Sequence, residues 1–185
     1  ITHGNGPQVG SLAIQQELSK NIVPPQPLHV LGAMTQGQIG YMIQQTLTNM
    51  LKKEGIKKPV VTVITQTLVN PNDPAFKNPS KPIGSFYSKR EAERLAKERG
   101  YIIKKVKPHG EKAYRRVVPS PEPIEIIEGE AIRKMVDMGM VVIASGGGGI
   151  PVIKNEKGEL EGVDAVIDKD LAGERLAEAV NADIM

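Results

Sequence analysis

Four consecutive glycines, Gly146 to Gly149, follow the aliphatic run Met140-Val141-Val142-Ile143-Ala144-Ser145. Each glycine carries a backbone entropy cost of roughly 0.5–1 kcal/mol relative to Ala. A chain that keeps four in a row is using its backbone for something a side chain would prevent. The run before them is apolar on both faces of any strand it forms, which predicts a buried strand of the kind parallel sheets contain. In α/β proteins ligands bind beyond the carboxyl ends of such strands, and the glycines sit there. A merely flexible connection is the competing reading. The run is not a dinucleotide fingerprint, because no GxGxxG leads into a helix, and it is not a P-loop, because no Gly-Lys-Ser/Thr follows.

The rest of the chain alternates helical and strand patterns around this feature. Thr2-His3-Gly4-Asn5-Gly6-Pro7 reads as a turn, with Pro7 suited to the first position of a helix that continues to about Lys20. Pro24, Pro25 and Pro27 make a rigid loop. A second helix is expected from Ala33 to Lys53, with Gly55 closing it. No Asp, Glu, Lys or Arg occurs from Asn21 to Leu51. A helix without charge is seldom exposed all round, so this one should be buried or face another subunit. Pro59 to Thr65 reads as a second buried strand. Ser88 and Glu91 have capping-box spacing, and Gly100 ends the helix they open. Tyr101 to Val106 alternates like a half-exposed strand, Glu128 to Met138 is a helix, and Pro151 to Val163 is a hairpin turning at Asn155–Gly158. Asp168 to Val180 is the last helix, with Leu171, Leu176 and Val180 on its apolar side. Asn181 to Met185 reads as a helix end followed by the beginning of a strand. The pattern predicts a three-layer α/β/α fold with a mainly parallel sheet. Residues 70–123 break the rhythm with loop-like, proline-punctuated stretches at Asn70–Ser88 and Pro108–Pro123. They are expected to form an inserted lid, with residues 1–69 and 124–185 as the core.

Charge marks the same segment. Lys77 to Arg116 holds 13 Lys/Arg and 4 Glu, against a net charge of +3 for all 185 residues. Such a patch attracts anions, or is a solvated lysine-rich surface. Nucleic acid is disfavoured, since Glu alternates with the bases and only 3% of residues are aromatic. The chain has no Cys, which excludes disulfides, thiolate metal sites and a Cys nucleophile and suits a reducing, cytoplasmic setting. Ile1-Thr2-His3 lacks the charged start of a secretory leader, and no stretch approaches the ~20 apolar residues of a membrane helix. Both ends read as interior to a longer protein.

Several residues are candidates for chemistry. Gly4-Asn5-Gly6 can turn backbone N–H groups toward an anion at a helix start, although a tight turn without a ligand has the same composition. Asp168 and Asp170 suit the first turn of a helix. Lys169 between them does not, and its presence points to an anion nearby. Asp170 could hold a lysine in place. Lys81 lies between two prolines in Asn78-Pro79-Ser80-Lys81-Pro82. His3, His29 and His109 are scattered, with no metal-ligand spacing, and His3 reads as a local hydrogen-bonding residue.

Thr2-His3-Gly4-Asn5-Gly6-Pro7-Gln8-Val9-Gly10, Ser145-Gly146-Gly147-Gly148-Gly149-Ile150-Pro151-Val152 and Ala165-Val166-Ile167-Asp168-Lys169-Asp170-Leu171-Ala172 resemble, in this order, three signatures of the carbamate kinases. Asn72-Asp73-Pro74-Ala75-Phe76 and Val117-Val118-Pro119-Ser120-Pro121 resemble the ends of that family's lid insertion. The resemblance implies the amino acid kinase fold, usually dimeric and cytoplasmic, with a role in arginine metabolism. It implies reversible phosphoryl transfer between ATP and carbamate, with ATP/ADP and Mg2+ entering together and carbamate or carbamoyl phosphate as the small-molecule partner. Thr2, Gly4, Asn5, Gly6, Gly146, Gly147, Gly148 and Gly149 would flank the phosphoryl group. Lys81 would bind the carbamoyl substrate, Lys169 would neutralise phosphoryl oxygens, and Asp170 would orient the catalytic lysines. The family's opening Gly-Gly-Asn segment and its C-terminal part, with a further lysine and most of the nucleotide pocket, have no counterpart here. On that ground the 185 residues alone are expected to be inactive. Another amino acid kinase, acting on acetylglutamate or aspartate, is the alternative enzyme. A non-catalytic anion-binding or dimerising module is the alternative outside enzymes.

Overall fold

A computed structural model describes residues 1–184. Its framework is two parallel strand pairs. Strand β1 (Val60–Thr62) pairs with β7 (Val141–Ile143), and β2 (Gln66–Val69) with β8 (Ile150–Lys154). These are two consecutive stretches of the same chain runs, so both runs are interrupted together, at Val63–Thr65 and at Ala144–Gly149. Antiparallel partners extend the second pair: β6 (Pro123–Ile126) lies beside β2, and β9 (Leu160–Gly162) beside β8 as the expected hairpin. Ile1 lies along β7, donating to Val142 O at 2.7 Å and accepting from Ala144 N at 2.9 Å.

Helices cover both faces. On one, α4 (Gly129–Asp137) and α5 (Lys169–Ala179) close over Val142 and Ala144, with Ile132 and Leu176 buried and Val61, Val63, Met135 and Val180 beside them. Leu171 faces outward, contrary to the expected apolar side. Ala172, Gly173 and Leu176 are the buried positions of α5. On the other face lies α2 (Leu28–Lys53), whose Gly40 meets Thr62 of β1 so closely that a Cβ would stand 2.3 Å from Thr62 Cγ2. The charge-free stretch therefore divides. Leu28, Leu31, Thr35, Gln36, Ile39 and Gly40 are buried, whereas Tyr41, Met42 and Met50 are exposed.

Helix α2 begins five residues before Ala33. Pro27 stands at its N-cap without a side chain to offer, and the missing acceptor comes from afar: Leu28 N donates to Asp164 Oδ1 at 2.9 Å. A cap supplied from 136 positions away leaves no local signature, which is why sequence spacing starts the helix late.

The segments read as loops at Asn70–Ser88 and Pro108–Pro123 contain strands. β3 (Lys81–Ser88), β5 (Lys112–Val118) and β4 (Ile103–Lys105) form a separate antiparallel sheet in the order β3-β5-β4. Pro82 is tolerated because β3 is an edge strand. Helix α3 (Lys89–Arg99) packs on this sheet, with the Ser88–Glu91 capping box formed and Gly100 left-handed at its end. Ile83 and Val118 join Val9 of α1 (Gly6–Ser19), Leu28 and Leu31 in one apolar cluster, which seats the small sheet on the core. Residues 181–184 form no strand, and Met185 lies outside the described residues. Among these, no helix is long and apolar enough to cross a membrane.

Candidate functional site

The double interruption of the parallel pairs makes the site. Where β1 ends, the Gln36 side chain of α2 takes the place of a neighbouring strand: its Nε2 donates to Thr65 O at 3.0 Å, and its Oε1 accepts from Thr65 N at 2.8 Å. The Thr65 hydroxyl accepts from Ser145 N at 3.0 Å, and that of Thr67 donates to Gly148 O at 2.8 Å. Gln36, Thr65, Thr67 and Ser145 are all buried. The network fixes where the glycine run begins through Ser145 N, while the buried Ser145 Oγ is left without a hydrogen-bond partner among the described residues. Ser145 itself adopts a left-handed conformation, φ 54°.

The glycines are then required by what lies against them. Gly147 has φ 65°, and a Cβ there would stand 2.1 Å from Asn5 Nδ2. Gly149 has φ 84°, and its Cβ would meet Thr67 Oγ1 at 2.0 Å. The run is thus no flexible connection. It is a packed crossing point against which the first glycine segment is pressed. Gly147 N donates to His3 O at 2.7 Å, and Thr2 Oγ1 donates to Ser145 O at 3.1 Å. His3 is a local hydrogen-bonding residue, its Nδ1 3.0 Å from Gly4 O.

Asn5 stands at the N-cap of α1 but does not cap it. Its Nδ2 donates to Thr35 Oγ1 at 2.9 Å instead. The first turn of α1 therefore has no side-chain cap, and Pro7 within it has no N–H. The Gly6 end of the helix, with its positive dipole, opens onto a cleft.

That cleft has a volume of about 410 Å3 and is lined by Gly4, Asn5, Gly6, Gly147, Lys81, Asp168, Lys169 and Asp170 together with Pro7, Val166 and Ile167. Lys81 reaches in from the first residue of β3, and its Nζ donates to Asp168 Oδ2 at 3.3 Å. Lys169 lies over Gly4, its Cδ 3.6 Å from where a Cβ would be, and its Nζ donates to Asp170 Oδ1 at 2.5 Å. Asp168 caps α5 by accepting from Asp170 N at 2.9 Å. That backbone bond, reinforced by Lys81, holds its carboxyl below the usual Asp range. The hydrogen bond and charge of Asp170 push the Lys169 ammonium up, so Lys169 stays charged. The four charges form two exposed ion pairs. Such pairs contribute little, so an entering dianion can take either lysine from its carboxylate.

Not every expected residue faces the cleft. Thr2, Gly146, Gly148 and Gly149 are absent from its lining. The three glycines are buried behind it, and Thr2 braces the backbone at Ser145. Among the described residues Asp170 pairs with Lys169 alone. Its expected hold on both lysines is divided, because Lys81 goes to Asp168. The sequence marks Asp168 only as a cap, because its pairing with Lys81 depends on how the small sheet is seated. Nothing local marks Gln36 or Thr65, since their partners come together only through the fold.

The interrupted parallel sheet, the paired glycine segments and the lysines over them define an α/β fold with a cleft whose lysines and helix end suit an anion. The profile of the amino acid kinase family matches residues 1–185, and the chain belongs to that family. It is similar to the carbamate kinases of Pyrococcus horikoshii, 58% identical over 187 residues, and Pyrococcus furiosus, 60% identical over 186. Each alignment covers 100% of this chain and 58% of the relative. A solved carbamate kinase from Giardia lamblia bound to AMP-PNP superposes with a TM-score of 0.87 at 46% identity, covering 98% of this chain and 57% of that one. A crystal structure from Aeropyrum pernix K1 superposes with a TM-score of 0.92 at 44% identity, covering 99% and 58%. The chain spans about 58% of the length of the curated relatives it matches.

Proposed function

We propose that the protein carrying these residues is a carbamate kinase, exchanging a phosphoryl group between carbamoyl phosphate and ADP, or between ATP and carbamate. The observation that carries this reading is one cleft in which two lysines face an uncapped helix end and a glycine backbone. Phosphoryl transfer asks for positioning and positive charge more than for a covalent group, and the cleft offers both. The AMP-PNP held by the Giardia relative supports a nucleotide as the second substrate.

In this reading Lys81 binds the carbamoyl group and Lys169 neutralises the oxygens of the phosphoryl group in flight. Asp170 keeps Lys169 charged and aimed. The backbone of Gly4 to Gly6 and of Gly147 forms the wall against which the phosphoryl group is held. Residues 70–123 act as a lid that brings Lys81 in and excludes water. The described residues hold no group of three or more His, Cys, Asp or Glu fit for a metal, and both Asp168 and Asp170 are engaged by lysines. This donor set fits Mg2+ carried on the nucleotide's phosphates, where it would neutralise charge, rather than in a protein cage. The exposed Tyr41, Met42 and Met50 of α2 support a homodimer. The same kinship supports a cytoplasmic place in arginine metabolism as part of this reading. Because the relatives are longer, the 185 residues alone are expected to turn over far more slowly than a full-length enzyme.

The test is a substrate panel with the full-length protein. ATP formation from ADP and carbamoyl phosphate is expected, with phosphorylation of N-acetylglutamate and aspartate at background. Lys81→Ala should raise the KM for carbamoyl phosphate about tenfold or more and leave that for ADP unchanged. Preference for an acylamino acid would overturn the assignment, and a shift confined to the ADP constant would overturn the role of Lys81.

A further inference from the structure

Asp164 lies in the loop that leads from β9 into the Asp168–Lys169–Asp170 turn, and it is not among the residues that line the cleft. Three residues from two separate elements, α2 and β5, converge on its carboxylate. Oδ1 accepts from Leu28 N at the start of α2 at 2.9 Å, and the same oxygen lies 3.7 Å from His29 Nδ1. Oδ2 lies 3.9 Å from Arg116 on β5. Arg116 is at the centre of the small sheet, in register with Ile83 of β3 and Ile103 of β4, and its guanidinium stacks over Tyr101 at 4.1 Å. Lys81 stands two residues before Ile83 on β3. Two residues beyond Asp164, Val166 N donates to Pro119 O at 3.0 Å.

We infer that Asp164 is a positioning residue: its carboxylate clasps the Arg116 sheet to the loop carrying Lys169 and Asp170, and so sets how often Lys81 stands in the cleft. This rests on the functional reading above. The two ends of the catalytic arrangement come from different units, Lys81 from the small sheet and Lys169 from the core. The Lys81–Asp168 pair must open when substrate enters, so it cannot hold the units in register through the reaction. Asp164–Arg116 lies outside the cleft and can stay closed throughout. Its capping of α2 anchors the clasp to a long helix, so a movement of the small sheet is transmitted to the catalytic turn and not absorbed by a free loop.

A merely structural role, capping α2, predicts something different from a clasp. Asp164→Asn keeps an oxygen for Leu28 N–H and removes the charge that Arg116 meets. With both side chains partly exposed, loss of the ion pair should raise the KM for carbamoyl phosphate by about three- to fivefold. The KM for ADP and the thermal midpoint should not move. Arg116→Gln should behave alike, the double variant should be no worse than either single one, and Asp164→Glu should restore most of the loss. Hydrogen exchange supplies a readout without turnover: both single variants should speed exchange in residues 112–118 and 163–168. If the unaltered protein fails to transfer from carbamoyl phosphate, the functional reading falls and the exchange pattern alone decides the clasp. Unchanged exchange in those segments, additive losses, or equal losses for both substrates with a lowered midpoint would overturn it.

Discussion

The Asn5 carboxamide occupies the space that any side chain at Gly147 would need, with its Nδ2 2.1 Å from the position of a Cβ. The same carboxamide donates to Thr35, and so cannot simply rotate away without leaving a buried hydroxyl weakened. Two glycine segments far apart in sequence are locked by one side chain. Both halves of the cleft wall therefore stand or fall together.

Gly147→Ala should be damaging on two counts. The residue has φ 65°, which L side chains rarely adopt, and the methyl group meets Asn5. Strain of this kind costs on the order of 1–3 kcal/mol, and displaced Asn5 would carry Gly6 with it. The expected outcome in the full-length protein is a thermal midpoint lowered by several degrees and ATP formation reduced by roughly tenfold or more. Differential scanning calorimetry and a coupled ATP assay would read both.

Gln36→Leu should fail for a different reason. It removes the partner of Thr65 N and Thr65 O while leaving both buried. Each unsatisfied group costs about 1–3 kcal/mol. Denaturant unfolding should show a loss of roughly 2–5 kcal/mol, far more than a Gln→Leu change at an exposed helix position. A loss under about 0.5 kcal/mol would mean that the interruption at Thr65 needs no side chain to fill it.

Lys169→Ala and Asp170→Ala should separate stability from turnover. Both side chains are more than half exposed, so the midpoint should move little. Turnover in the full-length protein should fall by roughly 10²–10³ for Lys169→Ala, the size seen when one transition-state contact is removed. The effect of Asp170→Ala should be of the same kind, and substrate KM values should change much less. Near-normal turnover in both variants would refute the roles given to them.

Asp168 predicts a pH dependence. Its carboxyl is held below the ordinary Asp range by the Asp170 N–H and by Lys81. A depressed carboxyl contributes stability that is present above its unfolded value, near 3.9, and is lost as pH falls through the folded value. Asp168→Asn can still cap α5 through its amide oxygen but carries no charge. The denaturant midpoints of the two proteins should differ at neutral pH, with the unaltered protein higher, and should converge in acid. The gap should be small and should shrink with salt, because the carboxylate is well solvated.

Local chemistry was legible in the sequence wherever a signal and its consequence lie within a few residues. Ser88, Glu91 and Gly100 bracket α3, Asn155 to Gly158 turn the β8–β9 hairpin, and the glycine segments flank the cleft. What was hidden depends on distant partners. Leu28 begins a helix because Asp164 completes it. Lys81 to Ser88 is a strand, despite Pro82, because β5 lies on one side only. Lys81 pairs with Asp168 and not Asp170 because of how the small sheet is seated. Periodicity measures a residue against its neighbours in sequence, and none of these partners is such a neighbour.

The twin parallel pairs have a consequence for biosynthesis. Thr65 and Ser145 meet across 80 positions, and β1 and β2 can pair with β7 and β8 only after those residues have left the ribosome. At about 5–20 residues per second, that delay is roughly 4–16 s. Through this interval β3, α3, β4 and β5 can fold on one another, since their contacts are local. The edges of β1 and β2 that receive β7 and β8 meanwhile stay open to any other unfinished chain. Among these 185 residues the cleft takes shape late, and its two halves are in need of shielding until then.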